Sequence, residues 1–146
     1  MVEAFFFYGT LITGGGNPRV AAALSRLSPR GEAVAQGLLY ALDDPDGCYP
    51  AMVAARAGVA GQGAVHGRLM ALLPEFTEED LAALDAYEGA DYHRLAIEVR
   101  RQDGAQVQAW AYVWAGPVPE EALPLPDGDF AAFLKASGRS AYRDPA

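Results

Sequence analysis

A glutamate set among leucines is the residue of this sequence that most needs a chemical explanation. Thr77 to Gly89 carry a strong helix signal. Thr77 is placed to cap, Asp80 stands at the reciprocal capping-box position, Phe76 can staple onto Leu81, and Gly89 supplies the stop. At roughly 100° per residue, Leu81, Leu84 and Tyr87 form one stripe, and Glu88 falls between Leu81 and Leu84 on the wheel. Burial disfavours the charged form of a carboxylate, and so does the negative C-terminal end of a helix. Both raise the pKa of Glu88 toward the range in which a general acid/base works near neutral pH. Taken alone, the helix leaves two readings open: a proton-transferring carboxyl facing a pocket, or a glutamate on a frayed last turn bonded to an arginine such as Arg94.

A second constellation stands at the other end of the sequence. Tyr8-Gly9-Thr10-Leu11 lies where an aromatic strand runs out into a glycine-containing loop ahead of a helix. Backbone N–H groups are free in such a loop and can face an anionic group in succession. Read by itself, the same tetrapeptide is an ordinary strand-ending turn.

Other reactive residue types point to simpler roles. His66 and His93 lack Cys or carboxylate neighbours at ligand spacing, so they read as structural. Asp43 to Gly47 lacks the later glutamate of a calcium loop and is interrupted by Pro45, which leaves a solvated turn. Gly14 to Gly16 is not followed by Lys-Ser/Thr and fails as a phosphate loop. Cys48 has no convincing local base and reads as a small buried hydrophobe. Trp110, Tyr112 and Trp114, at strand alternation, are core aromatics first and ligand walls second. No metal site is expected.

The elements that must position these groups follow from periodicity. Val2 to Tyr8 is apolar on both faces and reads as a central strand. A flexible Gly14–Gly16 connection leads to Asn17 and Pro18, the cap and first-position signals of a helix bearing Val20, Leu24 and Leu27 on one face and closed by Pro29 to Gly31. Gln36–Leu42 and His66–Leu72 echo each other and both read as strands, in similar sheet environments rather than as a duplication. Their glycines allow another backbone or an aromatic ring to come close. Between them lie the acidic turn, Tyr49-Pro50-Ala51, and a Gly/Ala loop from Ala57 to Ala64. Asp103-Gly104 signals a two-residue hairpin turn, which sets Leu95 opposite Tyr112 and Ile97 opposite Trp110, with Ala109, Ala111 and Val113 on the other face. Gly116 to Asp127 is a Pro-rich surface connection, Asp129 caps a short helix with Phe130, Phe133 and Leu134, and Arg139 to Ala146 reads as a loose tail. The expected fold class is α+β: a small curled or barrel-like mixed sheet with a few flanking helices.

Composition sets the outer bounds. A chain of 146 residues that is 51% hydrophobic fits one domain over residues 1–146 with its own core. A net charge of -8, with basic residues scattered apart from Arg100-Arg101, repels phosphate backbones and argues against nucleic acid. The first eight residues are too short and too acidic for a signal peptide, no later run is long enough to span a membrane, and one cysteine fits a reducing compartment. The expected location is the cytoplasm. Oligomeric state is not readable from the sequence.

Taken together, Tyr8-Gly9-Thr10-Leu11, Tyr49-Pro50-Ala51, and Leu84-Asp85-Ala86-Tyr87-Glu88-Gly89 followed by Tyr92 and Arg94 stand in the order seen in the gamma-glutamyl cyclotransferase-like family. The chain resembles that family from about Phe5 to Trp114. The first and last elements are fairly specific as a pair, and the Tyr-Pro-Ala element is weak. The resemblance implies a barrel-like sheet with a cavity for a γ-glutamyl group. It makes Glu88 the catalytic acid/base and the backbone of Tyr8, Gly9, Thr10 and Leu11 the holder of the glutamyl moiety, with Tyr92 and Tyr112 as cavity hydroxyls. The implied activity releases 5-oxoproline and a free amine from a small γ-glutamyl substrate without a cofactor. A non-enzymatic ligand-binding module on the same fold is the rival reading. Such a module has no use for a glutamate on an apolar face.

Overall fold

The computed structural model describes residues 2–9, 18–44, 47–54 and 63–138. Strand β1 (Ala4–Phe7) is followed by helix α1 (Pro18–Ser25), the long strand β2 (Leu27–Asp44), β3 (Gly47–Ala54) and β4 (Ala64–Leu72). Helix α2 (Glu78–Glu88) then leads to the hairpin of β5 (Tyr92–Arg101) and β6 (Gln106–Trp114), a short β7 (Leu123–Pro124) and α3 (Phe130–Ser137).

The aromatic first strand is central. It pairs antiparallel with β4 and parallel with β6, and Phe5 and Phe6 are fully buried. Side chains alternate across a strand, so Phe6 and Tyr8 enter one core with Val65, Val99 and Ala111, while Phe5 and Phe7 enter another with Val20, Leu84 and Tyr112. The path β2-β4-β1-β6-β5 closes on itself because β5 pairs back onto β2 through Ala33 to Ala35. The result is a five-stranded barrel, the curled sheet of the expected α+β class. Helices α1 and α2 cover the outer face of β1.

Strand β2 serves two partners along its length. Leu27 to Gln36 pairs with β4, across a bulge at Arg30 and Gly31, and Gly37 to Asp44 continues beyond the barrel to pair with β3. Gly31 takes φ +92 there, a left-handed conformation that favours glycine. The two similar segments differ in sheet position: Gln36–Leu42 lies mostly beyond the barrel against β3, whereas His66–Leu72 lies in the barrel between β1 and β2. A side chain at Gly67 would meet the carbonyl oxygen of Phe7 at 2.6 Å and the Phe6 ring at 2.7 Å, and one at Gly37 would meet the carbonyl oxygen of Val53 at 2.5 Å.

The helix ends follow their local signals. Thr77 caps α2 in a full capping box, with Asp80 N to Thr77 Oγ1 at 3.3 Å and Thr77 N to Asp80 Oδ2 at 2.8 Å. Pro18 opens α1, and Asp129 caps α3 through Ala132 N at 3.0 Å. No helix among the described residues is long and apolar enough to cross a membrane.

Several local expectations are corrected. Leu27 belongs to β2 rather than to the α1 face, because α1 ends at Ser25 and Pro29 to Gly31 lies inside the strand and its bulge. Tyr49-Pro50-Ala51, given no element by the sequence reading, lies in strand β3, paired with β2. Leu123-Pro124 in the Pro-rich connection pairs with Tyr40 and Ala41. The β5–β6 turn has three residues, not two: Arg101 N donates to Ala105 O at 2.8 Å, Gly104 adopts φ +87, and Asp103 Oδ1 accepts from Ala105 N at 3.0 Å. This slips the register by one, so Leu95 pairs with Ala111, Ile97 with Ala109 and Ala96 with Trp110. Ala109, Ala111 and Val113 still share the barrel interior, but Tyr112 now stands opposite Arg94. The expected Gly14–Gly16 connection, the Asn17 cap, Pro45 and Asp46 of the acidic turn, most of the Ala57–Ala64 loop and the 139–146 tail lie outside the described residues.

Candidate active site

Glu88 is the last residue of α2, and Gly89 follows at φ 78 with its N–H bonded to the Asp85 carbonyl at 3.2 Å. Leu84 of the same helix is fully buried, and Leu81 and Tyr87 are partly buried in the core beneath. Glu88 keeps some exposure as a whole residue, but its carboxyl group is enclosed closely enough that burial lifts its pKa from 4.5 to about 7. Arg94 does not pair with it. The Arg94 Nε bonds to Asp85 Oδ1 at 2.9 Å instead, which removes the frayed-turn reading.

Three tyrosines lie near enough for the Glu88 charge to act on them. The Tyr8 hydroxyl donates to the Tyr112 main-chain oxygen and accepts from Met52 N at 3.3 Å. The Tyr92 hydroxyl donates to the Pro50 carbonyl at 2.5 Å, two residues along β3 from Met52. The Tyr112 hydroxyl donates to Asp85 Oδ1 at 2.7 Å, one turn of α2 before Glu88. Burial first, and the Glu88 charge among the further causes, push all three phenols well above the usual tyrosine range, so they stay neutral. With Tyr8, Tyr92 and Tyr112 each giving its one hydroxyl proton to an internal acceptor, their oxygens are left to offer lone pairs.

Aromatic packing fixes the surround. Tyr92 meets Trp114 edge to face at 5.4 Å, Tyr49 stacks on Trp114 at 6.4 Å, and Arg94 lies over the Trp110 ring at 4.3 Å. Gly9 leaves β1 so close to β3 that an added Cβ would sit 2.5 Å from Pro50 Cγ. Thr10 and Leu11 lie outside the described residues.

The structure thus brings Glu88, Tyr8, Tyr92 and Tyr112 together and sets Gly9 against the β3 segment that holds Tyr92. Sequence reasoning assigned no role to Asp85, Pro50 or Met52. Asp85 was findable as a second acidic residue one turn before Glu88; the Pro50 and Met52 contributions come from main-chain atoms, which leave no residue-type signal. His66 and His93 are exposed, Cys48 is buried in the barrel core, and no group of three metal-ligating side chains occurs among the described residues. A separate groove between α1 and α2, lined by Arg19, Arg26, Glu79, Asp80 and Tyr87, contains none of the clustered residues, and its Arg26 and Asp80 are paired at 2.6 Å.

The family model described as gamma-glutamyl cyclotransferase, AIG2-like, matches residues 5–132. The chain belongs to this family. The match runs past Trp114, where the sequence resemblance stopped, and takes in β7 and the start of α3. Among solved structures, this family member is similar to YkqA from Bacillus subtilis at 19% identity and a TM-score of 0.65, over 94% of this chain and 43% of that one. The chain therefore spans less than half the length of YkqA. An AIG2-like protein from Mus musculus matches at 25% identity and a TM-score of 0.58, over 81% of this chain and 80% of its own. A protein named gamma-glutamyl cyclotransferase matches at 14% identity and a TM-score of 0.59, over 99% of this chain and 90% of its own. No curated protein sequence matches the chain. The first and third of these likenesses speak for the fold alone, and the family membership for a cyclotransferase-like function in general.

Proposed function

We propose that the protein converts a small γ-glutamyl amine or amino-acid conjugate to 5-oxoproline and the free amine, with Glu88 as the group that moves the proton. The observation that carries this reading is the enclosed Glu88 carboxyl, raised to about 7 among three neutral tyrosines, in a member of the gamma-glutamyl cyclotransferase family. The substrate's own α-amine is the nucleophile. Glu88 as carboxylate takes a proton from the ammonium, and the amine attacks the side-chain carbonyl carbon to close a five-membered ring. The protonated Glu88 then gives that proton to the departing nitrogen as the old C–N bond breaks, and the second proton, shed by the ring nitrogen as it becomes the lactam N–H, follows by the same route, so the amine leaves as an ammonium. Protons and bonds balance without a co-reactant.

Each demand of this sequence has a source. Ring closure is intramolecular, and a well-oriented attack of that kind is equivalent to an effective molarity on the order of 10⁵ M or more. A carboxyl with a pKa near 7 exists in both forms at neutral pH, so it accepts the first proton and donates the second. The Tyr92 and Tyr112 oxygens suit the cavity wall, where lone pairs face an ammonium. The main chain of Tyr8, Gly9, Thr10 and Leu11 is proposed to hold the α-carboxylate or the developing oxyanion. We further place the protein in the cytoplasm, with no nucleic-acid or membrane partner.

The test is a panel of γ-glutamyl compounds incubated with the protein and with its E88Q variant, with 5-oxoproline detected directly. Release by the wild type and loss of at least about 100-fold in E88Q, with binding retained, is expected from removing a general acid/base. Near-normal release by E88Q removes Glu88 from the mechanism. Binding without release by the wild type favours the ligand-binding module.

A further inference from the structure

The Asp85–Arg94 pair has little to do with stability. The two side chains are 40% and 23% exposed, and ion pairs in such positions contribute about 0–1 kcal/mol. Its consequence lies in where it leaves the guanidinium. Residues three apart on a helix are neighbours, with Cβ atoms about 5–6 Å apart, so an arginine bound to Asp85 stands within a side chain's reach of Glu88. Asp85 holds that cation from one side through Nε at 2.9 Å, and the Trp110 ring holds it from below at 4.3 Å. The Tyr112 hydroxyl, bonded to the same Asp85 oxygen at 2.7 Å, fixes the carboxylate that does the holding. Tyr112 is in turn placed by the one-residue register slip that sets it opposite Arg94.

We propose that Asp85 is a positioning residue: by engaging Arg94 it keeps this arginine off Glu88, so that the proton-transferring carboxyl does not gain it as a counter-cation. This rests on the proposed role of Glu88. Were Arg94 released, an opposite charge within about 4–6 Å would stabilise the Glu88 carboxylate and make it a poorer proton carrier at neutral pH. Among the described residues, the other groups whose charge or burial is tied to Glu88 offer no replacement cation. Tyr8, Tyr92 and Tyr112 are neutral, and Asp91, whose charge acts on Tyr92, has the same sign as Glu88.

The experiment titrates the Glu88 carboxyl by carbon-13 NMR in glutamate-labelled protein, with the signal identified by its loss in E88Q. It is run on the wild type, D85N, D85E and the double variant D85N/R94Q. The pH profile of kcat/KM for 5-oxoproline release is measured alongside. D85N is expected to lower the Glu88 midpoint by about 1–3 units, the range for a carboxylate gaining a cationic neighbour, and to shift the acid limb of the activity profile with it. D85N/R94Q, lacking the cation as well, is expected to restore the wild-type midpoint, and D85E, which keeps the charge, to retain it. A structural role for the pair predicts the reverse order, with the double variant no better than D85N. An unmoved midpoint in D85N, an unrestored one in D85N/R94Q, or a lowered one in D85E overturns the proposal. If the midpoints move as expected while no γ-glutamyl compound yields 5-oxoproline, the catalytic reading fails and the electrostatic role of Asp85 stands.

Discussion

Tyr8 donates its hydroxyl proton to the main-chain oxygen of Tyr112, a residue 104 positions later in the sequence. The same hydroxyl accepts from the Met52 amide at 3.3 Å. One buried phenol at the end of β1 therefore ties β6 to β3, and those two strands carry the site's walls: Tyr112 on β6, and on β3 the Pro50 carbonyl that holds Tyr92. The Tyr112 side chain extends the tie to Asp85 on α2. The relationship joins three strands and the helix that ends in Glu88.

Removing that hydroxyl takes one hydrogen bond from each of two main-chain groups. Y8F is expected to lower stability by about 1–3 kcal/mol, two hydrogen bonds at about 0.5–1.5 kcal/mol each. Urea unfolding checks this: the midpoint falls and the slope is unchanged. An unchanged midpoint shows that Tyr8 does not bind these strands together.

Glu88 links the site to pH-dependent stability. Its folded pKa of about 7 lies above the ordinary 4.5, so between those values the folded state holds a proton that the unfolded chain has lost. Stability therefore falls as pH rises through this window, and above pH 7 the full cost is present. At about 1.36 kcal/mol per unit the cost is at most about 3 kcal/mol. E88Q, which carries no charge, is expected to be more stable than the wild type at pH 8 and indistinguishable from it at pH 4. Unfolding curves for both proteins across pH 4 to 8 decide it, and a gap that stays constant with pH assigns the raised pKa no role.

Much of this arrangement is legible in the sequence where a local signal fixes the outcome. The α2 boundaries follow from Thr77, Asp80 and Gly89, and the centrality of β1 from phenylalanines on both faces. The α3 cap follows from Asp129. What escapes is set by tertiary pairing. Strand β3 contains Pro50, which argues against a strand until β2 extends far enough to pair with it. The β5–β6 register turned on one residue of loop length. Asp103-Gly104 fits a two-residue or a three-residue turn, and only the second lets the Asp103 carboxylate bond Ala105 N, which it does. That slip sets Arg94 opposite Tyr112 and so beside Asp85, a relationship absent from a two-residue turn. Glu88 was recognisable because an acidic residue on an apolar stripe conflicts with its surroundings. Asp85 stands one turn away as a second acidic residue, but its significance lies in the partner it takes.

Gly67 in β4 and Gly104 in the β5–β6 turn make a prediction about packing. A methyl at Gly67 meets the Phe7 carbonyl at 2.6 Å and the Phe6 ring at 2.7 Å, in the middle of the barrel where neither can withdraw. By contrast a methyl at Gly104 meets nothing within 4 Å and suffers only from φ +87. G67A is expected to cost about 3 kcal/mol, the upper part of the overpacking range, and G104A about 1 kcal/mol. Thermal unfolding of both variants gives the order, and G67A no worse than G104A contradicts the close approach of β1 to β4.

Gly9 offers a way to disturb the site without opening the core. Its backbone φ is not in the left-handed region, so the obstacle to a side chain is Pro50, whose Cγ and Cδ stand 2.5 Å and 3.3 Å from a built Cβ. A proline ring in a paired strand cannot rotate away, so either the first loop or the Pro50 segment must shift by a fraction of an ångström. The Pro50 carbonyl is the anchor of the Tyr92 hydroxyl, and the first loop is the proposed holder of the glutamyl group, so either movement alters substrate position relative to Glu88. Misplacement on the order of 1 Å can reduce a rate by about 100-fold, and a smaller shift is expected to lower kcat/KM for 5-oxoproline release by about 10-fold. Stability should change little, because the contact lies at the edge of the barrel rather than inside it. G9A measured for turnover and for thermal midpoint separates the two effects: activity lost in step with stability points to general unfolding, and unchanged activity removes the first loop and β3 from substrate positioning.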